Sequence, residues 1–164
     1  MATQSGTPGF PGKQFQVAGH QLHLVHAPND RLDAVLRLIA VAEHSIQMFF
    51  YMFADDSAGR DVRTALVAAA NRGVQVQLII DSFGSAAISD RFFDALTDAG
   101  GRYHCFSTRK GLGYIIRNHQ KILIADGKHA LVGGFNITDQ YFGRAGDDDW
   151  EDLGIVITGP EVPR

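Results

Sequence analysis

The sequence predicts an α/β fold: a mixed, largely parallel central sheet flanked by helices on both faces, forming one lobe. Two apolar runs of strand length, Ser45 to Phe53 (SIQMFFYMF) and Val74 to Ile80 (VQVQLII), alternate with longer stretches whose apolar residues recur at helical spacing. The first run is apolar at nearly every position, as expected of a strand covered on both sides. The order strand, helix, strand, helix, strand, helix favours crossover connections and parallel pairing. At 164 residues the chain has the length of a single domain with a full core.

Residues 1–14 read as a flexible Gly/Pro/Ser/Thr-rich leader, with neither the basic start nor the apolar core of a signal peptide. The domain proper is expected over 15–164. Phe15 to Val25 reads as a first strand. Asn29 and Asp30 are expected to cap a helix that turns Leu32, Val35, Leu36 and Ile39 inward. Asp55, Asp56 and Ser57 are expected to cap a second helix carrying Val62, Leu66 and Ala69, closed by Gly73 with Arg72 in its last turn. Ser82 to Ser85 form a loop at the carboxyl end of a strand, where open α/β sheets commonly place ligands. Ser89 is expected to cap a third helix with Phe92, Phe93 and Leu96 inward, stopped by Gly100 and Gly101. A strand follows over Arg102 to Phe106. Ser107 to Gly113 is a basic, glycine-rich loop, and its Arg109 and Lys110 are either solvated or set to meet a phosphate. After Asn136 comes a polar loop with a short helix around Thr138 to Phe142. Leu153 to Thr158 is the last strand.

The stretch from Arg117 to Asn136, RNHQKILIADGKHALVGGFN, concentrates the chemistry. Lys121 to Ile124 reads as a buried strand. His119 and Lys121, two apart, then project from one face, opposite Gln120, Ile122 and Ile124. Asp126-Gly127 is a hairpin signal, and the return strand, about His129 to Gly133, brings Gly133, Gly134 and Asn136 back to the level of His119. Glycines admit a ligand close to the backbone. An imidazole, an ammonium and a carboxamide then converge on one small space, a set suited to a phosphodiester: His attacks phosphorus while Lys and Asn hold the non-bridging oxygens. Asp126 is either part of that site or only the turn former that Asp before Gly commonly is.

With these residues in place, the segment resembles the signature of the phospholipase D superfamily, His-x-Lys-x-x-x-x-Asp followed by Gly-Gly/Ser-x-Asn. Together with Trp150-Glu151-Asp152 and Gly159-Pro160-Glu161-Val162 it is most similar to the first half of bacterial cardiolipin synthases, over roughly Gln16 to Val162. The resemblance implies two-step transfer through a phosphohistidine on His119, with Lys121 and Asp126 as its motif partners. It assigns Asp152 to hydrogen-bond the catalytic histidine and fix its tautomer. Asn136, Gly133, Gly134 and Arg117 are the substrate-binding candidates. No cofactor and no metal are called for. The implied substrate is a phosphatidylglycerol-like phospholipid; a nucleic-acid diester is the alternative, and a lone lobe without activity is the third reading. The family joins two such motifs in one active site, and this sequence holds one. The second histidine is expected from a homodimer mate or from a second lobe further along a longer chain.

Composition bounds these readings. The formal net charge of −3 gives no global positive field for nucleic acid. The one cysteine, Cys105, excludes an internal disulfide and suits a buried inert thiol. His20, His23 and His26 invite a metal reading, but on a strand His23 faces away from the other two. Asp147, Asp148 and Asp149 lack EF-hand spacing and read as a solvated acidic loop. No apolar run approaches the ~20 residues needed to span a bilayer. The expected location is the cytoplasm, or the cytoplasmic membrane face as a peripheral protein.

Overall fold

The computed structural model describes residues 9–107, 118–160 and 162. In chain order the elements are β1 (Lys13–Val17), β2 (His20–Val25), α1 (Pro28–Val41), β3 (Ser45–Phe50), α2 (Ser57–Asn71) and β4 (Gln75–Asp81). A 3₁₀ turn (Asp90–Phe93) then runs into α3 (Asp94–Asp98), followed by β5 (Arg102–Phe106), β6 (Lys121–Ala125), β7 (His129–Gly133) and β8 (Gly154–Thr158). The strands form one eight-stranded sheet in the order β1-β2-β8-β7-β6-β3-β4-β5.

The sheet is mixed, as expected, but it is not largely parallel. Only β3–β4 and β4–β5 pair in parallel. The ladders β1–β2, β2–β8, β7–β8, β6–β7 and β3–β6 are antiparallel. The strand–helix alternation that predicts parallel pairing covers only β3 to β5. Strands joined by tight turns have no choice but to run antiparallel. One such turn is Asp126-Gly127, where both residues take positive φ (54° and 61°). Another divides the expected first strand into β1 and β2 at Ala18-Gly19, again with both residues at positive φ.

Helix ends also differ from expectation in part. Helix α1 starts at Pro28, whose fixed φ and missing N–H suit a first turn, and no side chain caps it. Ser89 does not cap with its side chain either. Asp56 does cap α2, accepting from Gly59 N at 2.9 Å. Gly73 closes α2 at φ 90°, and Arg72 reaches across to the carbonyls of Ile39, Ala40 and Ala42 at the end of α1.

Helices α1, α2 and α3 line up side by side, and all three pack on the same face of the sheet. The strand residues facing them are buried: Ile46, Met48 and Phe50 on β3, Val76, Leu78 and Ile80 on β4, Leu123 and Ala125 on β6, Leu131 on β7 and Val156 on β8. Truncating one of the larger aliphatic ones, such as Ile46, Met48, Leu78 or Leu123, to alanine should cost about 2–5 kcal/mol. Among the described residues no helix covers the other face, which carries Phe49, Ile79, Ile122, Ile124, Val132, Ile155 and Ile157. The expectation of helices on both faces is therefore corrected: strands apolar on both sides here meet described helices on one side only. No helix among the described residues is long and apolar enough to cross a membrane.

Register places the signature residues together. Phe50 is opposite both Ile80 and Lys121, while Gly133 is opposite Gly154, and Ile122 opposite Val132 puts Lys121 and Gly133 level. One end of the sheet therefore collects the ends of β3, β4 and β7 and the starts of β6 and β8.

Candidate active site

At this end of the sheet His119 and Lys121 touch. Lys121 Nζ lies 2.8 Å from His119 Nδ1 and 2.8 Å from the His119 carbonyl oxygen. Nζ is also 3.4 Å from Nε2, so the ammonium faces the edge of the ring that carries both nitrogens. His119 is exposed and Lys121 is 5% exposed. The same-face projection expected from their spacing is met. Burial pulls the Lys121 ammonium below the ordinary lysine value, and the negative charge of Asp152 acts the other way. The cation is thus held in a partly desolvated place, where it interacts strongly with an anion.

Asp152 stands beside this pair. It does not bond His119 here: its Oδ1 accepts from Leu153 N at 2.6 Å, and the ring partner of His119 is Lys121. Gly134 is what lets Asp152 sit there, because a Cβ on Gly134 would overlap Asp152 Oδ1. Gly134 N in turn donates to the Leu153 carbonyl at 3.1 Å, tying the end of β7 to the approach to β8. Gly133 is close but less tight, with its would-be Cβ 3.0 Å from the Leu153 carbonyl oxygen.

Asn136 lies underneath, 2% exposed. Its Oδ1 accepts from Met52 N at 2.9 Å, and its Nδ2 donates to the Tyr141 hydroxyl at 3.2 Å. Burial raises the Tyr141 phenol, and the Asn136 bond acts against it. Asn136 therefore pins the chain just beyond β3.

That pinned chain carries Tyr51, which sequence reasoning assigned to the core. Its ring lies tilted against His119 at 4.4 Å between centroids, and Lys121 Nζ is 5.4 Å from its centre. The Tyr51 carbonyl accepts from Ser85 Oγ at 3.3 Å, so the loop after β4 packs on it as well. Buried Asp81 ends β4 and accepts from Phe83 N at 2.9 Å and from Asn118 N, next to His119, at 3.4 Å. The Ser82 to Ser85 loop thus lies at the carboxyl end of β4, against Tyr51 and beside the contact of Asp81 with Asn118. The signal that could have found Tyr51 is slight: a hydroxyl-bearing ring at the carboxyl end of an otherwise hydroxyl-free aromatic run.

Asp126 does not join the cluster. It sits at the far end of β6, where its Oδ1 accepts from His44 N (2.7 Å) and Ser45 N (2.8 Å) and its Oδ2 from Glu43 N (2.9 Å). Its place in the motif is that of a turn former and clamp. Arg117, Arg109 and Lys110 lie outside the described residues. No group of three or more metal-ligating side chains occurs among the described residues.

A family model described as cardiolipin synthase, PLD-like domain, matches residues 35–162. The chain belongs to this PLD-like family. Cardiolipin synthase A of Pseudomonas fluorescens is 31% identical over 156 residues, covering 92% of this chain and 33% of the relative. The major cardiolipin synthase ClsA of Bacillus subtilis is 35% identical over 138 residues, covering 81% of this chain and 29% of the relative. The chain thus spans about a third of the length of these curated relatives. Among solved structures, the phospholipase D family member Nuc from Salmonella typhimurium superposes with a TM-score of 0.66 at 25% identity, covering 85% of this chain and 84% of Nuc. NucT from Helicobacter pylori shares the fold, with a TM-score of 0.66 at 19% identity, covering 85% and 86% of the two chains. In this PLD-like domain the signature residues His119, Lys121, Gly133, Gly134 and Asn136 gather at one sheet end, and Asp126 alone among the described signature residues is placed away from it.

Proposed function

We propose that this PLD-like domain supplies half of a phosphodiester-transfer centre, and that the reaction is phosphatidyl transfer of the cardiolipin synthase kind. The observation that carries this is the buried Lys121 ammonium in contact with the exposed His119 ring. A phosphodiester entering here places its non-bridging oxygens against Lys121 and the second Nδ2 hydrogen of Asn136. His119 attacks phosphorus, a P–N bond forms, and the P–O bond to the leaving alcohol breaks. The leaving alkoxide takes a proton from a second histidine, which then accepts the proton of the incoming alcohol as that alcohol displaces His119. With water in place of the alcohol the outcome is hydrolysis. As Lys121 moves to the phosphate it releases the ring, and in the tautomer with its proton on Nδ1 that N–H can go to the nearby Asp152 carboxylate while the lone pair of Nε2 attacks phosphorus.

The second histidine comes from another copy of the motif. The similarity to cardiolipin synthases about three times as long supports a second lobe in one chain. The similarity to Nuc, a phospholipase D family member matched over 84% of its chain, favours the alternative that one lobe makes up a chain and a second copy supplies the other histidine; a nucleic-acid diester is the substrate of that alternative. The test is to trap the intermediate by acid-free quenching during phosphatidylglycerol turnover and map the adduct by mass spectrometry. An acid-labile phosphoramidate on His119, absent in His119→Ala, is expected. Turnover that survives His119→Ala would remove the proposal, and oligonucleotide cleavage without lipid turnover would favour the alternative.

A further inference from the structure

Six large apolar side chains are conspicuously exposed among the described residues: Phe15, Val17, Phe83, Val132, Trp150 and Leu153. Phe15 and Val17 lie on the edge strand β1, and Val132 on the uncovered sheet face. The other three rise from loops at the catalytic end of the sheet. Phe83, 54% exposed, follows Asp81 in the loop that packs on Tyr51. Trp150, 47% exposed, and Leu153, 49% exposed, flank Asp152 on the opposite side of His119. Apolar side chains thus stand on both sides of the mouth.

Trp150 is also held in place. Its N–H donates to the Gln140 carbonyl at 2.7 Å. Its carbonyl accepts from both Nη1 and Nη2 of Arg31 at 3.1 Å, and its ring lies edge-on to Tyr141 at 5.0 Å. Arg31 is 1% exposed, and its Nε has no hydrogen-bond partner among the described residues. Burying a guanidinium is costly, and here both of its terminal nitrogens go to the backbone of one half-exposed indole. That is a fixed presentation of an aromatic side chain, not a loose loop. Asp147, Asp148, Asp149 and Glu151 are exposed beside it, and the one cation among residues 143–153, the exposed Arg144, is paired with Asp61 at 2.8 Å, so this rim offers little to grip a polyanionic strand.

We propose that Phe83, Trp150 and Leu153 form an apolar rim that docks the mouth of the site on a phospholipid bilayer. This rests on the phosphatidyl-transfer reading and deepens it. A lipid phosphate lies at the border between headgroups and acyl chains, so a domain that takes it in place needs apolar groups beside its site. A tryptophan with one seated edge and one exposed edge suits that border.

Trp150 is the only tryptophan in the chain, so intrinsic emission reports on the rim directly. The experiment adds phosphatidylcholine vesicles containing phosphatidylglycerol to this 164-residue chain, with bis(p-nitrophenyl) phosphate turnover of the complete protein measured in parallel. The expected results are a blue shift, protection from acrylamide and quenching by brominated acyl chains. Leu153→Gln and Phe83→Glu should each weaken vesicle binding about tenfold while leaving the lipid-free spectrum unchanged, and Phe83→Glu should leave turnover of the soluble diester unchanged. Emission indifferent to vesicles would overturn the rim. So would a shift that follows protein concentration without lipid, which would mean that a second copy covers it, or a shift produced by a single-stranded oligonucleotide. Soluble-diester turnover without a vesicle response sinks the rim alone. A vesicle response without any diester turnover in the complete protein sinks the chemistry and leaves the rim standing.

Discussion

Lys121 is held in the fold against its own solvation. Burial disfavours the charged form, so its folded value lies below its unfolded one and the ammonium costs stability at neutral pH. Lys121→Met should therefore raise stability by about 1 kcal/mol in urea titrations near pH 7, while lowering phosphodiester turnover about 100-fold or more. The stability gain should shrink as pH rises through the folded value toward the ordinary lysine value, where the wild-type side chain is neutral in both states. A variant both weaker and inactive would show that Lys121 is structural. Asp126 has the opposite sign. Burial pushes its carboxyl up, but three backbone N–H donors together outweigh that and hold it below the ordinary aspartate value. Its contribution is complete above about pH 4 and is lost as pH falls through the folded value. Asp126→Asn keeps the left-handed turn and removes the charge. It should cost about 1–2 kcal/mol at pH 7 and progressively less below pH 4, with turnover retained at temperatures where the variant is folded. A turnover loss beyond the unfolded fraction would return Asp126 to the active site. Spacing made His119 and Lys121 legible because alternation on a strand is enough to put them together. It could not decide Asp126, since a turn former and a catalytic carboxylate leave the same letter at that position. It also hid Tyr51: strand pairing stops at Phe50, and only pairing shows that the next residue leaves the core for the site.

Elements were legible where local chemistry sets them and illegible where pairing does. The expected β5 and β7 match the observed strands, Asp56 and Gly73 bound α2, and the Asp126-Gly127 hairpin forms. The direction of the sheet was missed because helical crossovers join only β3 to β5, and an Ala-Gly turn inside one apolar stretch gives little warning of a hairpin. Helix α2 shows why a rule about one residue must be checked against its neighbours. Gly59 occupies the first turn of α2, where alanine is ordinarily the better helix former by about 1 kcal/mol. A Cβ there would overlap the carbonyl oxygen of Ala54 and press on the Phe53 ring. Phe53 belongs to the segment that leads from Tyr51 into α2, bridged to Ile137. Gly59→Ala should therefore destabilise by about 1–3 kcal/mol in chemical denaturation instead of stabilising. Unchanged or increased stability would mean that the turn between β3 and α2 yields easily, and that the shelf under Tyr51 is less rigid than its hydrogen bonds suggest.

At the scale of the whole molecule, two surfaces of this domain invite association, and they have different consequences. The uncovered sheet face is broad and apolar, whereas the catalytic end is narrow and carries His119. Copies meeting through the sheet face keep their histidines apart, while copies meeting through the catalytic end bring two His119 rings to one phosphorus. Light scattering alone does not separate these, but dilution with an inactive partner does. Wild-type chain refolded together with His119→Ala at varying ratio distributes randomly among pairs. If both histidines of a centre come from two copies, activity follows the square of the wild-type fraction, so an equal mixture retains about one quarter. If the second histidine belongs to a second lobe of the same longer chain, the same experiment on that chain is linear, and an equal mixture retains about one half. A square law for the 164-residue chain would make it a dimeric enzyme with one histidine from each copy. A linear law in the longer chain would make it the first lobe of a two-lobed synthase. Ile124→Lys on the sheet face should abolish association through that face in either case and leave the activity law unchanged, because the face and the mouth are separate surfaces.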